Sequence, residues 1–103
     1  KLFAIYLNTR NEVLGVETLH EGPIDRGVSA REVLGHAFTH NARSVIFVHN
    51  SPQKGPLPTV NEKKLTRALE AAASAIDIIV HDYLIAGESG QFSARESGWL
   101  DGK

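Results

Sequence analysis

The segment that most restricts the fold is a short run of strand-forming apolar residues, Ser-Val-Ile-Phe-Val at 44–48. A nearly continuous apolar run of this length, bounded by polar residues, is typical of a central strand that is buried on both faces. Such a strand needs neighbouring strands at its edges and other elements over its faces. The run therefore predicts a sheet that is covered by further elements of the chain.

Helical patterns lie on both sides of this strand in the sequence. A Ser-x-x-Glu capping box at Ser29 precedes apolar residues at helical spacing, which predicts an amphipathic helix over 30–41. The same spacing predicts a second helix over about 60–75. Further strands are predicted at 2–8, 13–20, 77–80, 82–87 and 91–93.

The order of these elements predicts an α/β (α+β) domain, with a mixed sheet of about six strands and two main helices. A chain of 103 residues has no room for a second core, so we expect a single domain over 1–103. The chain contains no methionine and does not begin at a start codon, so we also expect it to be a fragment of a longer protein.

Composition excludes several classes of function. Lys and Arg number 11 against 12 Asp and Glu, which is not the strongly basic balance of a non-specific nucleic-acid binder. No apolar stretch approaches the ~20 residues that span a bilayer, and no signal-peptide pattern is present. We therefore expect a cytoplasmic protein without direct contact to DNA or membrane.

The chain has no cysteine, so a metal would have to be held by His, Asp or Glu. His49 follows the buried strand, and because alternate strand residues point the same way, Ser51 should project beside it beyond the strand end. A proline-rich loop follows and could fold Thr59 and Glu62 back towards His49. Glu17 lies on a predicted strand.

Each of these residues also has a structural interpretation. Thr59 and Glu62 form a Thr-x-x-Glu capping box, which by itself explains both residues. His49 could be a hydrogen-bonded structural histidine, and Glu17 could be an exposed strand carboxylate. His36 and His40 stand at the i, i+4 spacing that can bind a metal, but the interpretation that this spacing is incidental is favoured.

Several longer segments carry a resemblance to a known family. The run VSAREVLGHAFTHNARSVIFVHNSP at 28–52 resembles the RadC family, whose members carry a JAB domain, also called MPN or JAMM. The similarity continues through TRALEAAASAIDIIVHDYLIAG at 66–87 and SARESGWL at 93–100. The resemblance implies a JAB/MPN-like (cytidine-deaminase-like) fold that forms the C-terminal part of a longer protein, and it attaches a DNA-repair label to the family.

The resemblance also implies a zinc site. The family signature is a glutamate on an early strand, then His-x-His-Pro, then Ser-x-x-Asp. Carried over, it makes Glu17 the catalytic acid/base, Thr59 the donor to the tetrahedral intermediate, and His49, Ser51 and Glu62 the metal ligands. Three ligands leave one zinc position open for a water whose pKa falls to ~7, and the glutamate moves its proton.

The sequence departs from that signature at three site positions. Ser51 stands where the second histidine should be, Thr59 replaces the serine and Glu62 replaces the aspartate; in addition, Tyr83 stands where the family usually has a histidine. A neutral hydroxyl is a poor zinc ligand beside imidazole, so zinc affinity should fall steeply.

Two functions follow from these departures. One is a zinc-dependent metallopeptidase or isopeptidase with an altered ligand set. The alternative is a non-catalytic MPN-type domain that binds or scaffolds proteins. Either function implies a peptide or protein as substrate or partner.

Overall fold

The computed structural model describes residues 1–21, 28–51, 59–88 and 90–100, with Ser51 described in its backbone alone. The predicted turn between Gly22 and Gly27 and most of the proline-rich loop fall outside these ranges. The elements in chain order are β1 (Leu2–Leu7), β2 (Val13–His20), α1 (Ala30–Thr39), β3 (Ser44–Ser51), α2 (Val60–Ala75), β4 (Ile79–Gly87) and β5 (Gly90–Ser93).

The strands form one mixed sheet in the order β2-β1-β3-β4-β5. β1 is antiparallel to both β2 and β3, β3 is parallel to β4, and β4 is antiparallel to β5. The predicted fold class is confirmed, with the short run at 44–48 in the central strand of the sheet.

Within the described ranges, the sheet has five strands rather than the predicted six. The segments 77–80 and 82–87 belong to one strand, β4, because the ladder with β3 skips His81 between Val80 and Asp82. A β-bulge of this kind lets a strand continue through a break in its apolar pattern.

The helices agree closely with the sequence patterns. α2 covers the predicted range, whereas α1 ends at Thr39, two residues before the predicted end at 41. The cause is Asn41, which adopts a left-handed conformation with a φ of 54°. Asparagine tolerates this conformation better than most residues, and it terminates helices.

One face of the sheet packs under both helices and forms the core. Alternate residues of β1 are buried, and the hydroxyl of Tyr6 donates to the carbonyl of Val33 in α1 at 2.7 Å. Neither described helix has the length and apolar character needed to cross a bilayer. The largest contributors to the core are Leu2, Tyr6, Val33, Val45, Phe47, Leu69, Tyr83 and Ile85.

The opposite face of the sheet, which we call the open face, has no described helix over it. The expectation that the central strand is buried on both faces is therefore met only on the helix side, since Ile46 and Val48 of β3 are half-buried. Their neighbours across the ladder are apolar as well. The half-buried residues of the open face are Phe3, Ile5, Ile46, Val48 and Leu84, and none of them packs against the core cluster.

Candidate functional site

Three polar side chains from separate elements meet inside the core. His49 of β3 donates from Nδ1 to Oε1 of Glu62 in the first turn of α2, and the hydroxyl of Tyr83 in β4 donates to the same oxygen at 3.0 Å. His49 is 8% exposed and Glu62 is 2% exposed. We call this cluster the His49–Glu62–Tyr83 triad.

The sheet register places the two strand members of the triad on one face. β3 and β4 are parallel neighbours, and Phe47, two residues before His49, lies level with Tyr83. The rings of Phe47 and Tyr83 are in contact, with centroids 6.1 Å apart. His49 and Tyr83 therefore both point from the sheet towards α2, where Glu62 lies between them.

The helix cap brings the third member into place. Thr59 is the N-cap of α2: its Oγ1 accepts from the backbone N–H of Glu62 at 3.1 Å, and its own N–H donates to Oε2 of Glu62 at 3.4 Å. The predicted capping box is confirmed. Because the other carboxylate oxygen serves the triad, Glu62 both caps its helix and joins the buried cluster.

The electrostatics of the triad keep the tyrosine protonated. Burial raises the pKa of Tyr83 far above its usual value of 10, and the negative charge of Glu62 raises it further. The phenol is therefore a donor at any physiological pH. Glu62 itself lies at the N-terminus of α2, where the helix dipole stabilises a negative charge.

Glu17 belongs to a second cluster, between β2 and α1. Its Oε2 accepts a hydrogen bond from Nε2 of His40 at 2.7 Å, and Nδ1 of His36 lies 3.7 Å away. The hydrogen bond from His40 holds the pKa of Glu17 below its usual value, and the charges of the two histidines act in the same direction. Glu17 is therefore partly exposed, and its carboxylate is hydrogen-bonded to His40 at the C-terminal end of α1.

The ring of His40 lies close to two paired residues of β1 and β2. Tyr6 stacks on it with ring centroids 5.4 Å apart and planes inclined by 24°. Gly15, the ladder partner of Tyr6, is so near that a Cβ atom there would come within 2.4 Å of the ring. The absence of a side chain at Gly15 makes the room that His40 needs to reach Glu17.

The two clusters are distinct. Glu17 pairs with Ala4 of β1, and Ala4 pairs with Phe47, two residues before His49. With strands ~4.8 Å apart and a rise of ~3.3 Å per residue, the Cα atoms of Glu17 and His49 are about 12 Å apart. The structure therefore brings Thr59, Glu62 and His49 together and places Glu17 in a different cluster on the same face.

The arrangement of these donors does not fit a zinc ion as it stands. Within the described ranges, no three His, Asp or Glu side chains surround a point where a metal could bind. The donor atoms of His49 and Glu62 are bonded to each other, and Tyr83 and Thr59 occupy further positions on the carboxylate. The side chain of Ser51 lies outside the description, so its assignment as a ligand stays a prediction.

Sequence reasoning did not foresee every residue of these clusters. The sequence marks Tyr83 only as a departure from the family signature, and it does not predict the contact of His36 and His40 with Glu17. Strand alternation and the i, i+4 spacing predict the face on which each side chain lies, but not the residue that it contacts. Nothing in the sequence pointed to Gly15 or Tyr6.

Several bacterial proteins have sequences similar to this chain. A family model described as RadC-like JAB domain matches residues 1–99. A UPF0758 protein of Cellvibrio japonicus is 38% identical over 102 residues, which are 97% of this chain and 46% of that protein. One of Pseudomonas fluorescens is 37% identical over 97 residues, covering 93% and 43%. One of Burkholderia cenocepacia is 35% identical over 98 residues, covering 94% and 38%.

The chain spans less than half the length of these curated relatives. The family match covers nearly every described element, from β1 to the segment after β5, and it agrees with the observed sheet and helices. This chain therefore belongs to the RadC-like JAB domain family.

Proposed function

We propose that this chain is a JAB domain of metallopeptidase lineage that works without zinc, as a protein-binding module. The observation that carries the proposal is the His49–Glu62–Tyr83 triad. His49 and Glu62, which the family resemblance predicts as zinc ligands, are hydrogen-bonded to each other. The buried phenol of Tyr83 donates to the same carboxylate oxygen. A zinc ion would have to separate His49 from Glu62.

The side-chain lengths and the chemistry of the donors support this proposal. Glutamate at position 62 reaches one methylene further than the family's aspartate, which suits a direct bond to His49. Hydrogen bonds to a charged group contribute about 1.5–3 kcal/mol each, so displacing the phenol and the imidazole from Glu62 is costly. Ser51 would not offset this cost, because it offers zinc only a neutral hydroxyl as a ligand.

Isothermal titration with zinc tests the proposal. The wild-type chain should bind zinc more weakly than high micromolar, whereas Ser51→His combined with Glu62→Asp and Tyr83→His should gain a saturable site. Adding His49→Ala to that triple variant is the matched control and should abolish the gained binding. Tight zinc binding by the wild-type chain, lost in His49→Ala alone, would contradict the proposal.

The second candidate is a zinc-dependent peptidase or isopeptidase. It is favoured by the gathering of Thr59, Glu62 and His49 at one place, with Glu17 on the same face of the sheet. In this function Glu17 would have to leave His40, and the zinc, Ser51 and the catalytic roles of Glu17 and Thr59 stay predictions. Cleavage of a peptide or isopeptide that depends on zinc and stops in Glu17→Gln would establish it over the first proposal.

The remaining expectations are compatible with either function. A near-neutral net charge of −1 supports a peptide or protein partner rather than direct contact with DNA. A cytoplasmic location stays a prediction.

A further inference from the structure

β2 lies at one edge of the sheet. The strand order β2-β1-β3-β4-β5 gives it a single neighbour, β1. Among the described residues, no backbone group outside β1 is bonded to the backbone of residues 13–19. An edge strand presents a row of N–H and C=O groups with which another extended chain can pair. The outer side of β2 is therefore a candidate docking edge.

The bonding pattern of β1 shows which residues of β2 face outward. Lys1 and Asn50 exchange two backbone hydrogen bonds between β1 and β3, each donating to the carbonyl of the other at 3.1 Å and 2.8 Å. Because bonded and non-bonded pairs alternate along an antiparallel ladder, the odd residues of β1 bond to β3 and its even residues bond to β2.

This alternation assigns the backbone groups of β2. Gly15 and Glu17 pair with even residues of β1, so their N–H and C=O groups are used within the sheet. Val16 and Thr18 pair with odd residues, so their N–H and C=O groups point away from the sheet. Both outward-facing residues have exposed side chains. Val16 and Thr18 thus offer donors and acceptors in the alternation of an antiparallel ladder.

The opposite edge of the sheet is closed by the chain itself. β5 pairs only with the second half of β4, from Leu84 to Gly87. Before that point, the guanidinium of Arg95 donates to the carbonyls of Val80 and His81. This side chain satisfies acceptors that a further strand would otherwise use. Native proteins protect edge strands by covering them or by placing charges or prolines on them.

β2 lacks such protection in its sequence. The strand VLGVETLH contains no lysine, arginine or proline. Its one carboxylate, that of Glu17, is bonded to His40 on the helix side of the sheet. Three apolar side chains of the strand, Val13, Leu14 and Val16, are exposed. One edge of the sheet is therefore capped, and the other is suited to pairing with an extended segment.

We propose that β2 docks an extended peptide segment of a partner protein, which adds to the sheet as an antiparallel strand. The outward N–H and C=O groups of Val16 and Thr18 define the occupant as a peptide backbone, because only an extended backbone supplies donors and acceptors in the same alternation.

The side chains at this edge define the sequence of the segment. Three successive peptide residues lie opposite Val16, Glu17 and Thr18. The first and third project onto the open face, where Val16 continues the apolar row of Ile5 and Ile46. The second projects beside the partly exposed carboxylate of Glu17. The partner segment is therefore expected to carry a lysine or arginine between two β-branched residues.

This inference deepens the proposed function by stating what a partner must present, and it rests on that function only in treating the domain as a binding module. β1 separates the outer edge of β2 from the His49–Glu62–Tyr83 triad. A zinc titration therefore tests the proposed function, whereas peptide binding tests the docking edge.

Fluorescence anisotropy with a labelled, end-capped peptide Ser-Thr-Val-Lys-Val-Thr-Ser tests the docking edge. The wild-type chain should bind this peptide saturably at pH 7. N-methylation of both peptide valines removes the donors that face β2 and should raise the dissociation constant at least about tenfold. The matched control is N-methylation of the peptide lysine, whose N–H faces away from β2. It should leave the dissociation constant unchanged.

Substitutions in the chain test the same edge from the other side. Val16→Pro removes an outward N–H that is not used in the ladder, and it should raise the dissociation constant at least about tenfold. Val16→Thr keeps the N–H and the branched shape and should bind like the wild type. Replacing the peptide lysine by glutamate should weaken binding about fivefold, and Glu17→Gln should remove that preference. Circular dichroism verifies that each variant folds.

The peptide controls use the wild-type chain, so they decide the matter even if Val16→Pro fails to fold. The proposal is overturned if the parent peptide does not bind at millimolar concentration, or if methylating its valines leaves binding unchanged. It is also overturned if sedimentation velocity shows a dimer of the chain that the peptide dissociates, because a second copy would then be the occupant of the edge.

Discussion

The two fully buried tyrosines of this domain offer a direct measure of the triad. Tyr83 and Tyr6 each have an exposed fraction of 0%. The hydroxyl of Tyr83 donates to the Glu62 carboxylate at 3.0 Å, and the hydroxyl of Tyr6 donates to the neutral carbonyl of Val33 at 2.7 Å. Removing either hydroxyl with phenylalanine keeps the ring and its packing, so the two substitutions differ mainly in the charge of the acceptor.

Tyr83→Phe should cost about 1.5–3 kcal/mol of unfolding free energy, because the hydrogen bond to a charged acceptor is lost in a buried site. Tyr6→Phe should cost about 0.5–1.5 kcal/mol, the range for a neutral hydrogen bond. Urea unfolding at pH 7, monitored by circular dichroism, measures both losses of unfolding free energy.

Two outcomes of these measurements would contradict the role of the triad. If Tyr83→Phe lowers the unfolding free energy by no more than Tyr6→Phe does, the phenol does not stabilise a charged Glu62. The triad would then not contribute to stability as we infer. If Tyr83→Phe is strongly destabilising only when zinc is present, the side chains surround a metal instead. Equal slopes of free energy against urea in all three proteins are required for the comparison.

Two further predictions concern the Glu17 cluster. Gly15→Ala should destabilise the domain by about 1–3 kcal/mol, because the added Cβ would overlap the His40 ring. Thermal unfolding measures this loss of stability. The control is Gly35→Ala, since nothing lies within 4 Å of a Cβ atom added there. Glu17 has a folded-state pKa below its usual 4.5, so its stabilising contribution is present above pH 4.5 and disappears as the pH falls through the lower folded value. The stability advantage of the wild type over Glu17→Gln should therefore shrink on acidification below that point, and an advantage that grows there would contradict the assignment.

Much of the fold follows from patterns that act over a few residues. Apolar spacing identified both helices, and the short run at 44–48 identified the central strand. The strand count was too high by one because His81 and Asp82 interrupt the apolar pattern of β4. Only pairing with β3 accommodates that interruption as a bulge, and pairing is a property of two strands together.

The sequence by itself determined the family, the order of the elements and the cap of α2, since each depends on residues close together in the chain or on residue identity alone. The tertiary structure decided the partners of the two carboxylates. Glu62 meets His49 and Tyr83 across 13 and 21 residues of chain, and Glu17 meets His40 across 23. Such contacts depend on how the helices lie on the sheet, which local preferences do not specify.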